Sequence, residues 1–220
     1  MKDARLLGGV DEAGRGCVLG PLVVAGVSAT REGVKELKEI GVKDSKRLTA
    51  EKRESLYPQI VDIAESVHWA GIPPREIDEV VMAGRRLRKL NYLEAVYFAK
   101  VIDELGAGKV TVDASDVIPR RFRDDIRGNM STSCKVVALH KADRDFPVVS
   151  AASIIAKVER DRAVEELRAA NGDFGSGYPS DPVTRRFFAK IIGRGDSLPP
   201  YARQSWKTWQ RIEQTLLDAF

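Results

Sequence analysis

Three short β-favouring runs in this chain each lead into acidic residues, and this repetition constrains the fold more than any other feature. The runs and the acids that follow them are Leu6–Val10 with Asp11 and Glu12, Lys109–Val112 with Asp113, and Cys134–Leu139 with Asp143. A long amphipathic helix predicted between Leu90 and Leu105 precedes the second run, which suggests a parallel crossover. Ligands of open α/β sheets gather outside the carboxyl ends of strands. The pattern therefore predicts an α/β chain, with an acidic site if the three strand ends converge.

The first acidic pair is followed at once by a glycine-rich turn, in the sequence Asp11-Glu12-Ala13-Gly14-Arg15-Gly16. Carboxylate oxygens bind metal ions, whereas backbone N–H groups and a guanidinium bind phosphates, so the stretch suits a phosphodiester substrate. An exposed acidic turn explains the same residues equally well. Because side chains alternate along a strand, Asp11 and Glu12 can share one site only if the strand ends or bulges there, which the glycines favour.

The set of candidate ligands at the strand ends consists of carboxylates only and lacks the cysteines and histidines that zinc favours. Buried acids are rare unless they are paired or bound to a metal, and hard oxygen ligands suit Mg²⁺ or Mn²⁺. Four carboxylates can bind two metal ions. One ion would activate a water molecule, and the other would stabilise the oxygen that leaves phosphorus. The candidate ligands are Asp11, Glu12, Asp113 and Asp143. We interpret Asp116 as a helix cap and His140 as a structural residue.

Two basic stretches suit a polyanionic partner. Lysine and arginine residues are concentrated in residues 43–53 and in residues 85–89. Within the first stretch, Thr49 is predicted to cap a helix. A solvated surface is the usual explanation for such a run, and a phosphate-contacting edge is the alternative. The net charge of +4 agrees with either explanation. The cysteines, Cys17 and Cys134, match no zinc or redox spacing and are expected to be small buried residues.

The second half of the chain is predicted to be mostly helical. Ser150 is expected to cap a helix that continues to about Ala170. The loop that follows, residues 175–182, is rich in glycine and proline, and its single aromatic residue, Tyr178, cannot easily be buried there. Tyr178 is therefore a candidate stacking residue.

Two further helices are predicted at about residues 181–192 and 203–219. Trp206 and Trp209 would anchor the last helix, and Arg203 is counted among its charged surface residues. The chain of 220 residues can form one large domain, or one domain with a helical appendage. With 43% apolar and 31% charged residues and no signal-peptide pattern, it is expected to be a cytoplasmic protein without membrane association.

Several segments together resemble the signature segments of the ribonuclease HII family, in order and in spacing, over nearly the whole chain. The matching segments are Asp11–Gly16, Asp44–Thr49, Asp113, His140–Asp143, Ser150–Ile154 and Gly175–Asp181. A histidine before the Lys-Ala-Asp sequence resembles the archaeal type of this family.

The resemblance implies a ribonuclease H-like fold, in which a five-stranded mixed sheet is flanked by helices and followed by a helical C-terminal extension. It implies a catalytic domain over residues 1–180 and a substrate-binding extension over residues 181–220 that packs on it. The implied activity is Mg²⁺- or Mn²⁺-dependent hydrolysis of the RNA strand of RNA–DNA hybrids and cutting at single ribonucleotides embedded in duplex DNA. Two ions are expected in the substrate complex, and the products would carry a 5′-phosphate and a 3′-hydroxyl.

The resemblance also implies roles for individual residues. The residues that match the metal-binding positions of the family are Asp11, Glu12, Asp113 and Asp143. The residues that match its loop for recognition of the ribose 2′-hydroxyl are Gly14, Arg15 and Gly16. Tyr178 matches a tyrosine that stacks on the deoxyribose at an RNA–DNA junction, and Lys46 matches a lysine near the substrate backbone. A 2′-hydroxyl is the one group that separates RNA from DNA locally, so rigid backbone groups can recognise it whatever the base.

One departure from the family pattern is Cys17, which stands where members commonly have proline. Proline would stiffen the exit of the glycine turn, so we expect Cys17 to loosen it slightly. The chain is expected to be a monomer, and the resemblance leaves a contact with a sliding clamp open. Two alternatives stay open from sequence: another carboxylate-dependent nuclease of the same superfamily, and a non-catalytic nucleic-acid-binding module.

Overall fold

The computed structural model describes residues 3–42, 48–83 and 89–208. Five strands and eight helices occur within them. In chain order they are β1 (Asp3–Ala13), β2 (Leu22–Ala29), α1 (Arg31–Glu39), α2 (Ala50–Ile63), β3 (Ser66–Ile72), α3 (Pro74–Met82), α4 (Lys89–Glu104), β4 (Ala107–Asp113), α5 (Pro119–Asn129), β5 (Lys135–Leu139), α6 (Ala142–Asp145), α7 (Pro147–Asn171) and α8 (Pro182–Arg194). None of these helices is long and apolar enough to cross a membrane.

The five strands form one mixed sheet in the order β3-β2-β1-β4-β5. Strand β1 runs antiparallel to β2 and parallel to β4, and β4 runs parallel to β5. The predicted five-stranded mixed sheet is confirmed. The strand before α4 is β3, which β2 and β1 separate from β4 in the sheet, so the predicted crossover through α4 does not join neighbouring strands. The neighbouring parallel strands β4 and β5 are connected through α5. The second strand begins at Leu22 and not at Val18, since the N–H groups of Val18 and Leu19 bond to the carbonyl of Gly177 instead of to a strand.

The chain divides into two compact units. The first contains Met1–Ala13, Val23–Gly71 and Arg88–Glu159, and therefore nearly all of the sheet. The second contains Gly14–Leu22, Ile72–Leu87 and Arg160–Phe220. The division at residue 180 stays a prediction, and the second unit begins well before that residue.

In the first unit, β1 and the start of α7 approach each other closely at Gly9. A Cβ atom at Gly9 would lie 2.3 Å from the carbonyl carbon of Val148, so no other residue fits without moving the helix. Apolar residues of β2 and α7 complete this side of the core. Asp11, two residues beyond Gly9, shares this face of β1 because strand side chains alternate.

The second unit has its own apolar core, which contains Val18, Leu19, Phe174 and Phe188. Tyr201 stacks on Phe174 with the ring centroids 5.3 Å apart. The segment that follows β1 is therefore packed against residues from the last quarter of the chain.

Helix ends agree with the predictions in part. Thr49 caps α2 as expected and accepts a hydrogen bond from Lys52 N. Asp181, for which no cap was predicted, caps α8 and accepts from Val183 N. The prediction that Ser150 caps a helix is wrong, because α7 begins at Pro147, a residue that the first turn of a helix favours. The hydroxyl of Ser150 lies inside α7 and donates to backbone carbonyls instead.

The predicted helix over residues 203–219 does not begin at residue 203, since residues 203–207 form turns. Its remainder, with Trp209, lies outside the described residues, as do most of the basic residues of the 43–53 and 85–89 stretches.

Candidate active site

Three aspartates from separate parts of the chain meet in the first unit. One carboxylate oxygen from each of Asp11, Asp113 and Asp143 lies within 4.8 Å of the other two. Asp11 and Asp143 are buried, and Asp113 is partly buried. The predicted convergence of the three acidic strand ends is confirmed.

Sheet register brings the first two aspartates together. Val10 of β1 pairs with Val112 of β4, so that Asp11 and Asp113 lie at the same level of neighbouring parallel strands. The carboxyl end of a parallel strand is where side chains from successive crossovers collect.

The third aspartate reaches the site through a sharp turn after β5. Lys141 adopts a left-handed conformation with φ 59°, which is uncommon for a residue other than glycine, and α6 begins directly after it. The first N–H group of α6, from Ala142, donates to Oδ1 of Asp113 over 3.3 Å. The Ser150 hydroxyl donates to the carbonyl of Asp143 and so holds α6 against α7.

Asp11 lies beside a cation and a hydroxyl on α7. Ser153 donates to the Asp11 carboxylate, and Lys157 Nζ donates to Ser153 Oγ over 2.5 Å. Burial raises the pKa of Asp11 to about 6, and the nearby Lys157 charge and the Ser153 hydrogen bond oppose that rise. Sequence reasoning missed Lys157, although its spacing of four residues from Ser153 places both on one helix face.

Glu12 is not brought into the group of three. Strand β1 pairs with β2 in continuous register from Leu7 through Ala13, so the expected interruption of the strand is wrong. Side chains of a regular strand alternate, which separates Glu12 from the face that carries Asp11. The role of Glu12 as a metal ligand stays a prediction.

The donor set of this site fits a hard divalent cation. Its three carboxylates offer only oxygen atoms, are close enough to share one ion, and are rigidly held by strand ends and a short helix. A group of three buried or partly buried acids is costly without a cation, and Lys157 supplies one positive charge near Asp11. Mg²⁺ and Mn²⁺ suit such ligands better than zinc does.

The turn that follows β1, residues 14–20, belongs to the second unit and is named the glycine turn here. Gly14 has φ 84°, and a Cβ atom there would lie 2.8 Å from the carbonyl oxygen of Pro21, so the turn requires glycine at this position. Gly16 is exposed, and a Cβ atom there would meet nothing within 4 Å. The fold therefore needs glycine at position 14 and not at position 16.

Arg203 is the main side-chain support of the glycine turn. Its guanidinium donates to the carbonyl oxygens of Gly14, Arg15 and Gly20 over 2.7 to 3.2 Å. The prediction that Arg203 is a surface charge of the last helix is wrong, because the residue is fully buried. These carbonyls lie far away in sequence, so no local pattern could have revealed the contact.

Tyr178 lies in the loop of residues 175–181, which hydrogen bonds fix in place. Asp181 accepts from Ser176 N over 2.6 Å, and Thr184 accepts from Gly177 N over 3.0 Å. The Arg160 guanidinium lies 4.9 Å from the centroid of the Tyr178 ring, and the residue remains 37% exposed. One face of the ring is therefore covered by a cation, and part of the residue is open to solvent.

The remaining predicted residues have structural contacts or lie outside the described residues. The interpretation of Asp116 as a helix cap is wrong, because the N-cap residue of α5 is Ile118. Asp116 is buried, accepts from Ile118 N and pairs with Arg121, which holds its pKa well below the usual range. His140 Nε2 lies 3.2 Å from the carbonyl oxygen of Val117, which agrees with a structural role. Lys46 lies outside the described residues.

Neither cysteine forms a disulfide within the described part of the chain. Cys17 is buried and Cys134 is partly buried. The N–H group of Cys17 donates to the carbonyl of Gly14 over 3.2 Å, a bond that proline could not make. The expected loosening of the glycine turn stays a prediction.

Comparison with known proteins places these features in a family context. A family model described as ribonuclease HII matches residues 8–209. The ribonuclease HII of Cenarchaeum symbiosum is 49% identical over 208 residues, covering 94% of this chain and 98% of the relative.

Two solved structures are similar over almost their whole length. The crystal structure of ribonuclease H2 from Pyrococcus horikoshii has a TM-score of 0.85 and 41% identity, and the match covers 96% of this chain and 99% of the other. The structure of a PCNA:RNase HII complex from Archaeoglobus fulgidus has a TM-score of 0.85 and 42% identity, covering 97% of this chain and 100% of the other.

Proposed function

The chain belongs to the ribonuclease HII family and is an endoribonuclease, a hydrolase that acts on RNA–DNA hybrids, and from that premise we propose which of its residues carry the reaction. The observation that carries the proposal is the convergence of Asp11, Asp113 and Asp143 within 4.8 Å. The alternatives of a different superfamily nuclease and of a non-catalytic module are no longer needed.

The three aspartates are the proposed metal ligands. Mg²⁺ or Mn²⁺ bound there would supply Lewis-acid stabilisation of charge at the scissile phosphate and lower the pKa of water. The chain itself contributes geometry: β1 and β4 fix two carboxylates, and Lys141 turns the chain so that α6 presents the third. Lys157 and Ser153 orient the carboxylate of Asp11 through the hydroxyl between them.

Glu12 enters the proposal as a ligand of a second ion, supported by its place next to Asp11 in the sequence. It lies outside the group of three, so its loss should leave the first metal ion bound. We expect Glu12→Gln to keep the affinity for one Mn²⁺, measured by titration calorimetry, and to lose cleavage. Unchanged cleavage would remove Glu12 from the site.

The glycine turn is the proposed sensor of ribose, with Gly14, Arg15 and Gly16 as its substrate-binding residues. A rigid backbone can present donors and acceptors to a 2′-hydroxyl without regard to the base. Buried Arg203 makes the turn rigid, and the open space at Gly16 lets a sugar approach the backbone. Sequence preference should therefore be weak.

Tyr178 is the proposed stacking residue at RNA–DNA junctions. The residue is partly exposed, and Arg160 covers one face of its ring. We expect Tyr178→Ala to reduce cleavage of junction substrates more than cleavage of continuous hybrid. Lys46 is proposed to contact the substrate backbone, which rests on the family resemblance alone.

One assay tests the specific activity. The substrate is a duplex with a single embedded ribonucleotide, beside an all-DNA duplex of the same sequence, with and without Mn²⁺. We expect metal-dependent cleavage on the 5′ side of the ribonucleotide, with a 5′-phosphate and a 3′-hydroxyl, and no cleavage of the control. Cleavage of the all-DNA duplex would contradict ribose sensing.

The partners follow from the substrate. Nucleic acid containing ribonucleotides is the substrate that the family implies. Because the Archaeoglobus fulgidus relative forms a complex with PCNA, a sliding clamp is the proposed protein partner of an otherwise monomeric enzyme. A cytoplasmic location completes the proposal.

A further inference from the structure

A buried thiol lies among the groups that surround Tyr178. Cys17 has no exposed surface, and its Sγ accepts a hydrogen bond of 3.0 Å from Nη2 of Arg160. The guanidinium of Arg160 covers one face of the Tyr178 ring. We propose that Cys17 is a positioning residue that fixes Tyr178 through Arg160 and so sets the preference for RNA–DNA junctions over continuous hybrid. This inference rests on the proposed stacking role of Tyr178.

The guanidinium of Arg160 has few hydrogen-bond partners within the described residues. It is 3% exposed, and its Nη2 atom donates both to Cys17 Sγ and to the carbonyl of Ser176. Its Nη1 atom lies 3.3 Å from Oδ1 of Asp161, an exposed carboxylate. Cys17 is one of two hydrogen-bond partners of Nη2 within the described residues, so its loss removes one of the two bonds that orient the guanidinium above the ring.

The same thiol lies beside the hydroxyl of Tyr178. Burial of this hydroxyl and the neighbouring Cys17 raise the pKa of Tyr178 to about 12. The hydroxyl therefore stays protonated at any working pH and can donate toward the sulfur. Cys17 thus touches the tyrosine at its hydroxyl and, through Arg160, at its ring face.

The backbone around these side chains does not depend on the thiol. The N–H groups of Val18 and Leu19 donate to the carbonyl of Gly177 over 2.8 and 3.3 Å. Gly177 has φ 78°, and a Cβ atom there would lie 2.7 Å from the carbonyl oxygen of Leu19, so the two segments are in direct contact. Removing the thiol should therefore move the ring of Tyr178 and leave both loops in place.

Four variants and two substrates test the proposal. The variants are Cys17→Ser, Cys17→Ala, Cys17→Val and Tyr178→Ala, and the substrates are a duplex with one RNA–DNA junction and a continuous hybrid. Serine keeps a polar group at the position, alanine removes it, and valine fills the volume without polarity. Both kcat and KM are measured in Mn²⁺, with the melting temperature as the control for folding.

We expect Cys17→Ala and Cys17→Val to lower kcat/KM on the junction by about three- to tenfold, the value of one weak hydrogen bond. Continuous hybrid should change by less than about twofold, and Cys17→Ser should retain most junction activity. A double variant that combines Cys17→Ala with Tyr178→Ala should have the same kcat/KM on the junction as Tyr178→Ala alone, because the effects of residues that act as a unit are not additive.

The outcomes separate this inference from the function on which it rests. If Tyr178→Ala is selective for the junction but both apolar variants at Cys17 leave the ratio of the two substrates unchanged, the role of Cys17 is overturned and the role of Tyr178 stands. If the serine and apolar variants lose junction activity equally, Cys17 is a packing residue only. If Tyr178→Ala impairs both substrates equally, the stacking role fails, and the role of Cys17 fails with it.

Discussion

The Nη2 atom of Arg203 lies 2.7 Å from the carbonyl oxygen of Gly14. The same side chain also donates to the carbonyls of Arg15 and Gly20, so that one buried guanidinium binds three carbonyls of the glycine turn. The ribose-sensing role proposed for this turn therefore depends on a residue that has no need to touch the substrate.

Replacing Arg203 by lysine should destabilise the second unit. An ammonium group cannot donate in a fork to several carbonyls, which leaves buried acceptors without partners at a cost of about 2–4 kcal/mol in the free energy of unfolding. Urea unfolding measures this loss. The control is Arg75→Lys, whose exposed ion pair with Glu79 should contribute less than about 1 kcal/mol. Equal stability of the two variants would contradict the supporting role of Arg203.

Alanine substitutions at Gly14 and Gly16 should have different effects. Gly14→Ala forces a side chain into a left-handed turn against Pro21 and should lower stability by about 1–3 kcal/mol. Gly16→Ala meets no obstacle in the protein, so it should fold normally while blocking the approach of a ribose. Thermal unfolding and cleavage at a single embedded ribonucleotide are measured for both. Normal cleavage by Gly16→Ala would mean that the substrate does not approach this position.

Asp113→Asn should separate binding from cleavage. The amide keeps the shape of the side chain at the end of β4 and can still accept from Ala142 N, but it binds a divalent ion poorly. We expect folding and hybrid binding to be largely retained and Mg²⁺- or Mn²⁺-dependent cleavage to be lost. Asp116→Asn, three residues further on, should keep cleavage, since Asp116 pairs with Arg121. Undiminished turnover by Asp113→Asn would remove this aspartate from the site.

The two buried aspartates Asp11 and Asp116 should respond to pH with opposite signs in protein kept free of metal by a chelator. The pKa of Asp11 is raised from 3.8 to about 6, so its contribution to stability is fully present below about pH 3.8 and is lost as the pH rises through about 6. Asp11→Asn should therefore stabilise the protein at pH 8 by at most about 3 kcal/mol and have little effect at pH 4.

The pKa of Asp116 is lowered by its hydrogen bonds from Arg121, Ile118 N and Asn91, so its contribution is present above about pH 3.8 and is lost as the pH falls below it. Asp116→Asn should therefore destabilise the protein at pH 8 and less so at pH 3. Urea unfolding between pH 3 and pH 8 gives both curves. Parallel curves for the two variants would contradict the opposite environments of these side chains.

Local patterns in the sequence were enough to predict the strand ends and the long helix before β4. Each acid follows a short apolar run directly, and α4 has a clear helical period, so the convergence of Asp11, Asp113 and Asp143 followed from general sheet geometry. The position of Glu12 was harder to predict, because it depends on whether one strand continues for two more residues.

Contacts between residues that are distant in the chain could not be predicted from local patterns in the sequence. Arg160 and Cys17 are 143 residues apart, and neither has a neighbour that signals a buried guanidinium. Ser150 looked like a helix cap because its residue type favours that position, yet the preference of Pro147 for a first turn decided where α7 begins. Propensity identifies candidates for such positions, and packing selects among them.

The support of Gly14 by Arg203 also sets an order of events during synthesis on the ribosome. These residues are 189 positions apart, so at a translation rate of about 5–20 residues per second the glycine turn waits roughly 10–40 s for its guanidinium. All three aspartates of the metal site are made before that time, since Asp143 precedes Arg203 in the chain. A nascent chain can therefore contain every cutting group while the turn proposed to recognise ribose is still incomplete.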